Sequence, residues 1–371
     1  MDFECVQNKL RQAVQKSNQV VSRSIDLPIL SCVLMTTTGD KLLLQSTDIE
    51  HALTVTIPAR IHQEGRVAVQ SDVINRILQG VNSKDEHTKI TLDKQELVVS
   101  TSLTESRITT QDDSDFPTIP HIETDEGTVS VSISTEDFLR GLEVVSFAAS
   151  HSNIKPELSS VYVYYEAGRL TFVCTDGFRL AEQVIIVDLG ALEFDFLLPV
   201  KSAGIIQKLF DDYSKEDLTI YITDNQLAIK NKQLYFTCRL VSGNFPDYKK
   251  LIPTEHETST VMLKEDLASV LKLSNIFSNE YHEVVLNIDP SKKLCELSSS
   301  NKEVGSNRTN IPAVLEGDPV TVTFNYRFLN EALPVVHTDS VQITFTDPGR
   351  PLKLTTIPES AFTYIVMPLN T

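Results

Sequence analysis

The sequence predicts an α+β fold in which three tandem copies of one domain each set two helices against antiparallel strands. Alternating apolar runs rich in Val, Ile, Thr, Tyr and Phe dominate the chain, the pattern of half-buried strands. Six windows instead carry apolar residues at a spacing of three to four, the pattern of helices with one buried face. Landmarks also recur: Asp48 to Asp176 spans 128 residues (176−48) and Phe116 to Phe245 spans 129 (245−116). Two independent landmarks at one spacing mark an internal repeat.

In chain order, the first copy offers a helix at Val6–Val20, strands at Ser31–Thr37, Lys41–Ser46 and Ala52–Ile57, a helix at Ser71–Leu78 and a strand at Glu96–Ser100. The second offers a helix at Thr135–Ser146, strands at Ser160–Tyr165, Arg169–Cys174 and Phe194–Leu198, a helix at Lys201–Phe210, then strands at Gln226–Lys230 and Leu234–Leu240. The third offers a strand at Thr258–Lys264, a helix at Lys264–Leu273, a strand at Lys292–Ser298 and a helix at Tyr326–Leu333. It closes with strands at Val341–Phe345 and Phe362–Val366. Ser71-Asp72 and Ser134-Thr135-Glu136-Asp137 read as helix-capping signals. Pro117, Pro120 and Pro253 punctuate the joints, which places the copies at 1–122, 123–254 and 255–371. A copy of that size can bury its own core.

Composition narrows the function. The 371 residues carry 33 Lys+Arg against 50 Asp+Glu, a formal charge of −17. Such a chain is a poor candidate for coating nucleic acid over its whole surface, though a concave wall can still be basic. Met1-Asp2-Phe3-Glu4 lacks the basic start of a secretory signal, and no apolar run is long enough to span a membrane. The five cysteines (Cys5, Cys32, Cys174, Cys238, Cys295) are odd in number and widely spaced, which argues against a disulfide framework or zinc cluster. The expected location is the cytoplasm, with no membrane contact and no cofactor.

No G-x-S-x-G, P-loop, G-x-G-x-x-G or H-E-x-x-H occurs, and the 13 glycines form no phosphate cradle. No catalytic or metal-ligating set is therefore assigned. Glu255-His256-Glu257 is the most ligand-like cluster and reads as a solvated connector. Thr175-Asp176-Gly177-Phe178-Arg179-Leu180 leaves two readings open. It is either a turn with a local Asp–Arg pair or a functional carboxylate–arginine site. The first copy has Thr47-Asp48-Ile49-Glu50 there, so the Asp reads as structural, while Gly177, Arg179 and Leu180 are special to the second copy. Each helix window also bears Lys or Arg: Lys9, Arg11, Lys16, Arg76, Arg140, Lys201, Lys208, Lys264, Lys272 and Arg327. On one helix this is an ordinary solvated face; on repeated helices sharing a surface it is a track for phosphates.

These residues resemble the bacterial DNA polymerase III beta subunit, the sliding-clamp family, over essentially the full length. The resemblance rests on Leu27-Pro28-Ile29-Leu30, on Thr175-Asp176-Gly177 with Arg179-Leu180, on Phe245-Pro246-Asp247-Tyr248-Lys249-Lys250-Leu251-Ile252-Pro253, and on Tyr364-Ile365-Val366-Met367-Pro368. It implies DNA-clamp domains, two chains joined head to tail as a homodimeric ring around duplex DNA, and no enzymatic activity. It implies as partners the DNA polymerase III catalytic subunit, the clamp loader and other proteins bearing a clamp-binding motif. A partner-peptide pocket is implied at Leu158, Thr175, Gly177, Phe178, Arg179, Leu180, Pro246, Lys250, Leu251, Asn325, Phe328, Ile365, Val366, Met367, Pro368 and Leu369. The DNA-facing set would be Lys9, Arg11, Lys16, Arg23, Arg76, Arg140, Lys155, Lys201, Lys208, Lys264 and Lys272. Ile108, Ile276 and Phe277 would serve the dimer edge. Phe178, Ser24, Ser106 and the tail Leu369-Asn370-Thr371 depart from familiar members, which bears on peptide preference, DNA contact and dimer strength. The competing readings are a non-encircling protein-interaction scaffold and an enzyme using Asp176 and Arg179; a ring dimer separates the first, turnover the second.

Overall fold

The computed structural model describes residues 1–22, 27–81, 87–122, 127–152, 154–358 and 361–369. Among them are six α-helices: α1 (Gln7–Ser17), α2 (Ser71–Gly80), α3 (Thr135–Ser146), α4 (Val200–Phe210), α5 (Lys264–Ile276) and α6 (Tyr326–Ala332). All six predicted windows are helical. α1 is shorter than its window at both ends: Val6 belongs to the strand Asp2–Val6, which pairs on both sides, with Arg60–Gln63 and His87–Asp93, and the helix stops at Ser17 with Asn18 as its C-cap. The repeat is visible in the starts. α1, α3 and α5 open at residues 7, 135 and 264; α2, α4 and α6 open at 71, 200 and 326.

By packing, the chain divides into two units: Met1–Leu139 with Gly204–Leu240, and Arg140–Ala203 with Val241–Thr371. The division does not follow the repeats, because each unit holds a sheet that runs across a joint between copies. In the first unit an eight-stranded antiparallel sheet pairs Leu234–Arg239 of the second copy with His51–Pro58 of the first, in the register Leu234↔Val55 to Cys238↔His51. In the second unit a nine-stranded sheet pairs Arg179–Ile186 with Phe362–Val366, in the register Arg179↔Val366 to Gln183↔Phe362. Backbone ladders of five pairs therefore fix each joint, and side chains then fill the pleats. The other two sheets end in open edges: Glu105–Thr109 borders a five-stranded sheet and Gly305–Asn310 a four-stranded one.

The helix faces follow their patterns. α1 buries Leu10, Ala13 and Val14, and α2 buries Ile74 and Leu78. The two capping signals differ in outcome. Ser134 Oγ accepts from the Asp137 N–H at 3.4 Å, a long cap. Ser71 does not cap α2, whose N-cap residue is Gln70; the Ser71 hydroxyl is fully buried and donates to Asn18 Oδ1 at 2.9 Å instead. All five cysteines are free and buried. Burial pushes the Cys5 thiol up to about 12 and Cys295 up to about 11, so neither carries thiolate at neutral pH.

Candidate peptide-binding and DNA-facing sites

Two equivalent turns, one in each of the first two copies, resolve the Asp176 question. Thr175 Oγ1 donates to the Arg179 carbonyl (2.7 Å) and accepts from the Gly177 N–H (3.1 Å). Asp176 Oδ1 accepts from the N–H groups of Phe178 and Arg179, and Oδ2 from Arg179 Nε–H at 2.9 Å. The first copy builds the same turn. Thr47 Oγ1 donates to the His51 carbonyl and accepts from the Ile49 N–H, and Asp48 Oδ1 accepts from the His51 N–H. The carboxylate is a turn element in both copies, and His51 stands where Arg179 stands. Among the described residues, Asp48, Glu50 and His51 are the one group of three metal-ligating side chains that converges, but His51 Nδ1 already lies 3.0 Å from both Asp48 oxygens.

Both turns need a left-handed residue at the third position. Gly177 takes it at φ +91° without cost, whereas Ile49 takes it at φ 78° with a β-branched side chain. That conformation costs an L-residue about 1–2 kcal/mol, against roughly 0.5–1 kcal/mol of extra unfolded-state entropy for glycine. Ile49 is largely exposed, so little packing would be lost. Ile49→Gly is therefore expected to stabilise the protein by about 0.5–1 kcal/mol in denaturant titration; a loss of stability would refute the strain.

Around Arg179 the second unit gathers most of the predicted pocket. Arg179 is 5% exposed. Besides Asp176 it bonds Glu331 Oε2 at 2.5 Å, and its carbon lies 4.9 Å from the Phe328 ring centre and 5.7 Å from that of Phe147. Burial lowers the Arg179 pKa, but the Glu331 hydrogen bond and nearby negative groups outweigh it and the net shift is upward. Asn325 caps α6, its Oδ1 accepting from the Arg327 N–H (3.0 Å), which sets the turn that presents Phe328. The Tyr364 hydroxyl donates to the Phe328 carbonyl at 2.8 Å. Past the last strand, the Met367 N–H donates to the Phe178 carbonyl and the Leu369 N–H to the Thr323 carbonyl, each at 2.8 Å. Under the site, Leu180, Val173, Ile365 and Tyr248 form one apolar cluster, with Phe245 and Ile252 against it. Tyr248 donates to Glu182 Oε2 at 2.6 Å.

The structure divides the predicted pocket into foundation and surface. Thr175, Arg179, Leu180, Ile365 and Val366 are buried. The pleat turns Leu180 and its strand partner Ile365 into the apolar cluster. The surface consists of exposed Gly177, Phe178, Pro246, Lys250 and Leu251, with Leu158, Asn325, Phe328, Met367, Pro368 and Leu369 half-buried. Lys250 is paired with Asp247 at 2.6 Å. Leu158 sits in the segment before Ser160–Glu166, its carbonyl accepting from the Ser150 N–H. Sequence reading missed Glu331, Phe147, Tyr248 and Tyr364. Glu331 had a signal: it lies three residues after Phe328, on the same helix face.

Within the basic set, Lys16 and Lys264 differ from the rest. Lys16 is 9% exposed; its Nζ donates to the Leu209 carbonyl (2.6 Å), pairs with Asp212 (3.0 Å) and lies over the Tyr213 ring. Lys264 donates to the Val336 carbonyl at 2.8 Å and is only half-exposed. Both ammonium groups are engaged by the protein. Arg76 is exposed but paired with Asp72 one turn earlier (2.5 Å), and Arg11 bonds Asn8 Oδ1 (2.8 Å). Lys9, Arg140, Lys155, Lys201, Lys208 and Lys272 are exposed. Arg23, with Ser24, Asn370 and Thr371, lies outside the described residues.

At the edge strand Glu105–Thr109, Ile108 is 5% exposed, opposite Leu97, so it faces the core rather than a partner. Arg107 on that strand pairs with Asp93, Glu96 and Glu105. Ile276 is 59% exposed at the end of α5 and Phe277 is half-buried beside Gly305. Among the described residues no helix is long and apolar enough to cross a membrane.

Comparison with known proteins gives three family matches in order: the DNA polymerase III beta subunit N-terminal domain at residues 1–120, its central domain at 132–247 and its C-terminal domain at 249–370. The chain is similar to the beta sliding clamp of Treponema pallidum, 27% identical with all of both chains covered. It is also similar to that of Synechococcus elongatus, 24% identical over all of this chain and 99% of the relative. A DNA polymerase III beta subunit structure from Thermotoga maritima superposes with a TM-score of 0.93 at 25% identity, covering 100% of this chain and 99% of that one.

Proposed function

Because the chain belongs to the DNA polymerase III beta subunit family, a non-catalytic processivity subunit, we propose a specific assembly and partner site for it. The three tandem domains, placed at 1–122, 123–254 and 255–371, form one half of a head-to-tail homodimeric ring that encircles duplex DNA in the cytoplasm. Each closure pairs the open edge Glu105–Thr109 of one chain with the edge Gly305–Asn310 of the other, continuing antiparallel ladders as the internal joints do. Ile276 and Phe277 flank the contact; Ile108 does not contribute side-chain area to it. Ring closure holds DNA topologically, so phosphate contacts need be no stronger than sliding tolerates.

The partner site takes a short peptide bearing Leu and Phe, presented by the polymerase catalytic subunit, the clamp loader and other motif-bearing proteins. The single observation that carries this is the apolar lip of exposed Phe178 and Leu251 with half-buried Met367, Pro368 and Leu369, set on a polar frame around the buried Arg179. Two anchors at about 1.5–3 kcal/mol each supply about 3–6 kcal/mol, so the roughly 8 kcal/mol of a micromolar complex requires the peptide's polar and backbone contacts as well. Met367→Ala is expected to weaken such a peptide about tenfold or more in calorimetry while sedimentation still reports a dimer. Equal affinity in the two proteins would remove Met367 from the site.

A further inference from the structure

In the second unit a chain of three side chains ties a surface turn to the nine-stranded sheet. Tyr164 lies on the strand Ser160–Glu166 and Glu182 on Arg179–Ile186, while Tyr248 opens the short helical turn Tyr248–Leu251. The cross-strand pairs Tyr162↔Val173 and Val173↔Glu182 put Tyr162, Tyr164 and Glu182 on one face of the sheet. The segment from Phe245 to Ile252 packs on that face, where Phe245 stacks on Tyr162 with ring centres 4.9 Å apart and planes at 12°. Tyr248 is the buried residue of its turn, 3% exposed. Its hydroxyl donates to Glu182 Oε2 at 2.6 Å and lies 2.8 Å from the Tyr164 hydroxyl. A carboxylate only accepts, so the Tyr248 hydrogen is committed to Glu182 and the Tyr164 hydroxyl donates to Tyr248. Burial, then these two hydrogen bonds, push the Tyr248 pKa up, so the phenol keeps its proton at neutral pH.

The turn ends on Leu251, an exposed member of the apolar lip. Lys249 and Lys250 between them are exposed too, so Tyr248 is the turn's own attachment to the sheet. We infer that Tyr248 is a positioning residue of the peptide site: held by Tyr164 and Glu182, it fixes where Leu251 stands. The inference rests on the partner-peptide reading of that site. One strand then holds two walls. Arg179 and Glu182 are three residues apart on it, so the pleat aims them at opposite faces. On one face Arg179 braces Phe328 of α6; on the other Glu182 holds the turn that carries Leu251. Apolar packing alone leaves a buried ring free to slide in its own plane, because it is non-directional. Two hydrogen bonds at the ring's tip set how deep it enters, because they are directional. Without the hydroxyl the ring stays in the cluster, but Leu251 stands in place for only a fraction of the time. The apparent affinity for the peptide falls by that fraction.

The test uses the full-length protein and a short fluorescent peptide bearing adjacent Leu and Phe, with binding followed by anisotropy. Tyr248→Phe keeps the ring and removes one oxygen, so the fold should hold. It is expected to weaken the peptide about tenfold, the result of a turn in place about a tenth of the time. Glu182→Ala cuts the same link and should weaken it to the same degree, with the double variant no weaker than either single one. Glu182→Gln keeps an acceptor oxygen at the same reach and should lose less than about threefold. A general loss of stability would not single out that acceptor. Amide exchange at Lys249, Lys250 and Leu251 should quicken in Tyr248→Phe while the strand Arg179–Ile186 stays protected. Equal affinity for the parent and Tyr248→Phe would overturn the positioning role, as would additive losses or a glutamine variant as weak as the alanine one. A parent that binds no peptide would overturn the partner-peptide reading and this inference together. Binding that Met367→Ala weakens and Tyr248→Phe does not would sink the positioning role alone.

Discussion

Arg179→Ala should cost about 3 kcal/mol of stability and lower peptide affinity more than tenfold. The guanidinium is the shared partner of two carboxylates and two aromatic rings, and it is almost wholly removed from water. Deleting one member of a buried pair costs about 3–5 kcal/mol, because the other charge is left without a partner. The lower end applies here. Asp176 keeps two backbone N–H donors, and the Glu331 side chain is 45% exposed and can rehydrate. The lost packing against Phe147 and Phe328 adds to the charge effect. Affinity falls because Phe328 and the Phe178 turn lose their common brace. Arg179→Lys should recover less than half of either loss, since one ammonium cannot bridge both acids and stack on a ring. Urea titration and peptide calorimetry on the three proteins check this. An alanine protein within about 0.5 kcal/mol of the parent would show that the network holds nothing in place.

The same cluster shows what local pattern can and cannot carry. The helices were legible because burial of one face imposes its period: Leu10, Ala13 and Val14 in α1 leave a signal in any window that contains them. Edge strands leave no such signal. Gly305–Asn310 reads GSNRTN with no buried residue, so it has no apolar face to alternate, yet it pairs along its whole length with Leu294–Asn301. The turn at Asp176 was legible from Asp and Gly, and its copy at Asp48 was legible from the repeat. What the chain hid was long-range pairing. Arg179 meets Glu331 across 152 residues and Lys16 meets the Leu209 carbonyl across 193, and no window holds both partners. A lysine on a helix looks the same whether its ammonium meets solvent or a carbonyl. That is why Lys16 and Lys264 read as members of a basic track. The pleat has the same effect on the pocket: Leu180 and Met367 look equally apolar in sequence, but one lies in the core and the other at the lip.

Two helix glycines are expected to respond to alanine with opposite signs. In an open helix, Gly→Ala gains about 0.5–1 kcal/mol from reduced unfolded-state freedom. Gly204 in α4 has nothing within 4 Å of where a Cβ would sit, so Gly204→Ala should gain that amount. Gly141 in α3 is different. A Cβ there would lie 2.5 and 2.6 Å from two carbons of the Phe172 ring and closer still to a third. Phe172 is fully buried, so the ring has nowhere to retreat. Overpacking of this kind costs about 1–3 kcal/mol, and three clashing atoms of one ring put it at the upper end. The helix gain is smaller, so Gly141→Ala should lose about 2 kcal/mol net. The damage should reach the peptide site. Phe172 lies in the strand Arg169–Thr175, which leads into the Asp176 turn, so displacing it moves Thr175 and the frame behind Phe178. Phe172→Leu vacates part of the disputed space. The double variant should then be less destabilised than the sum of the single ones, with a coupling of about 1 kcal/mol or more. Additive losses in the double-mutant cycle would mean that the helix moves away from the sheet as a body, and that glycine at 141 is not what brings the two together.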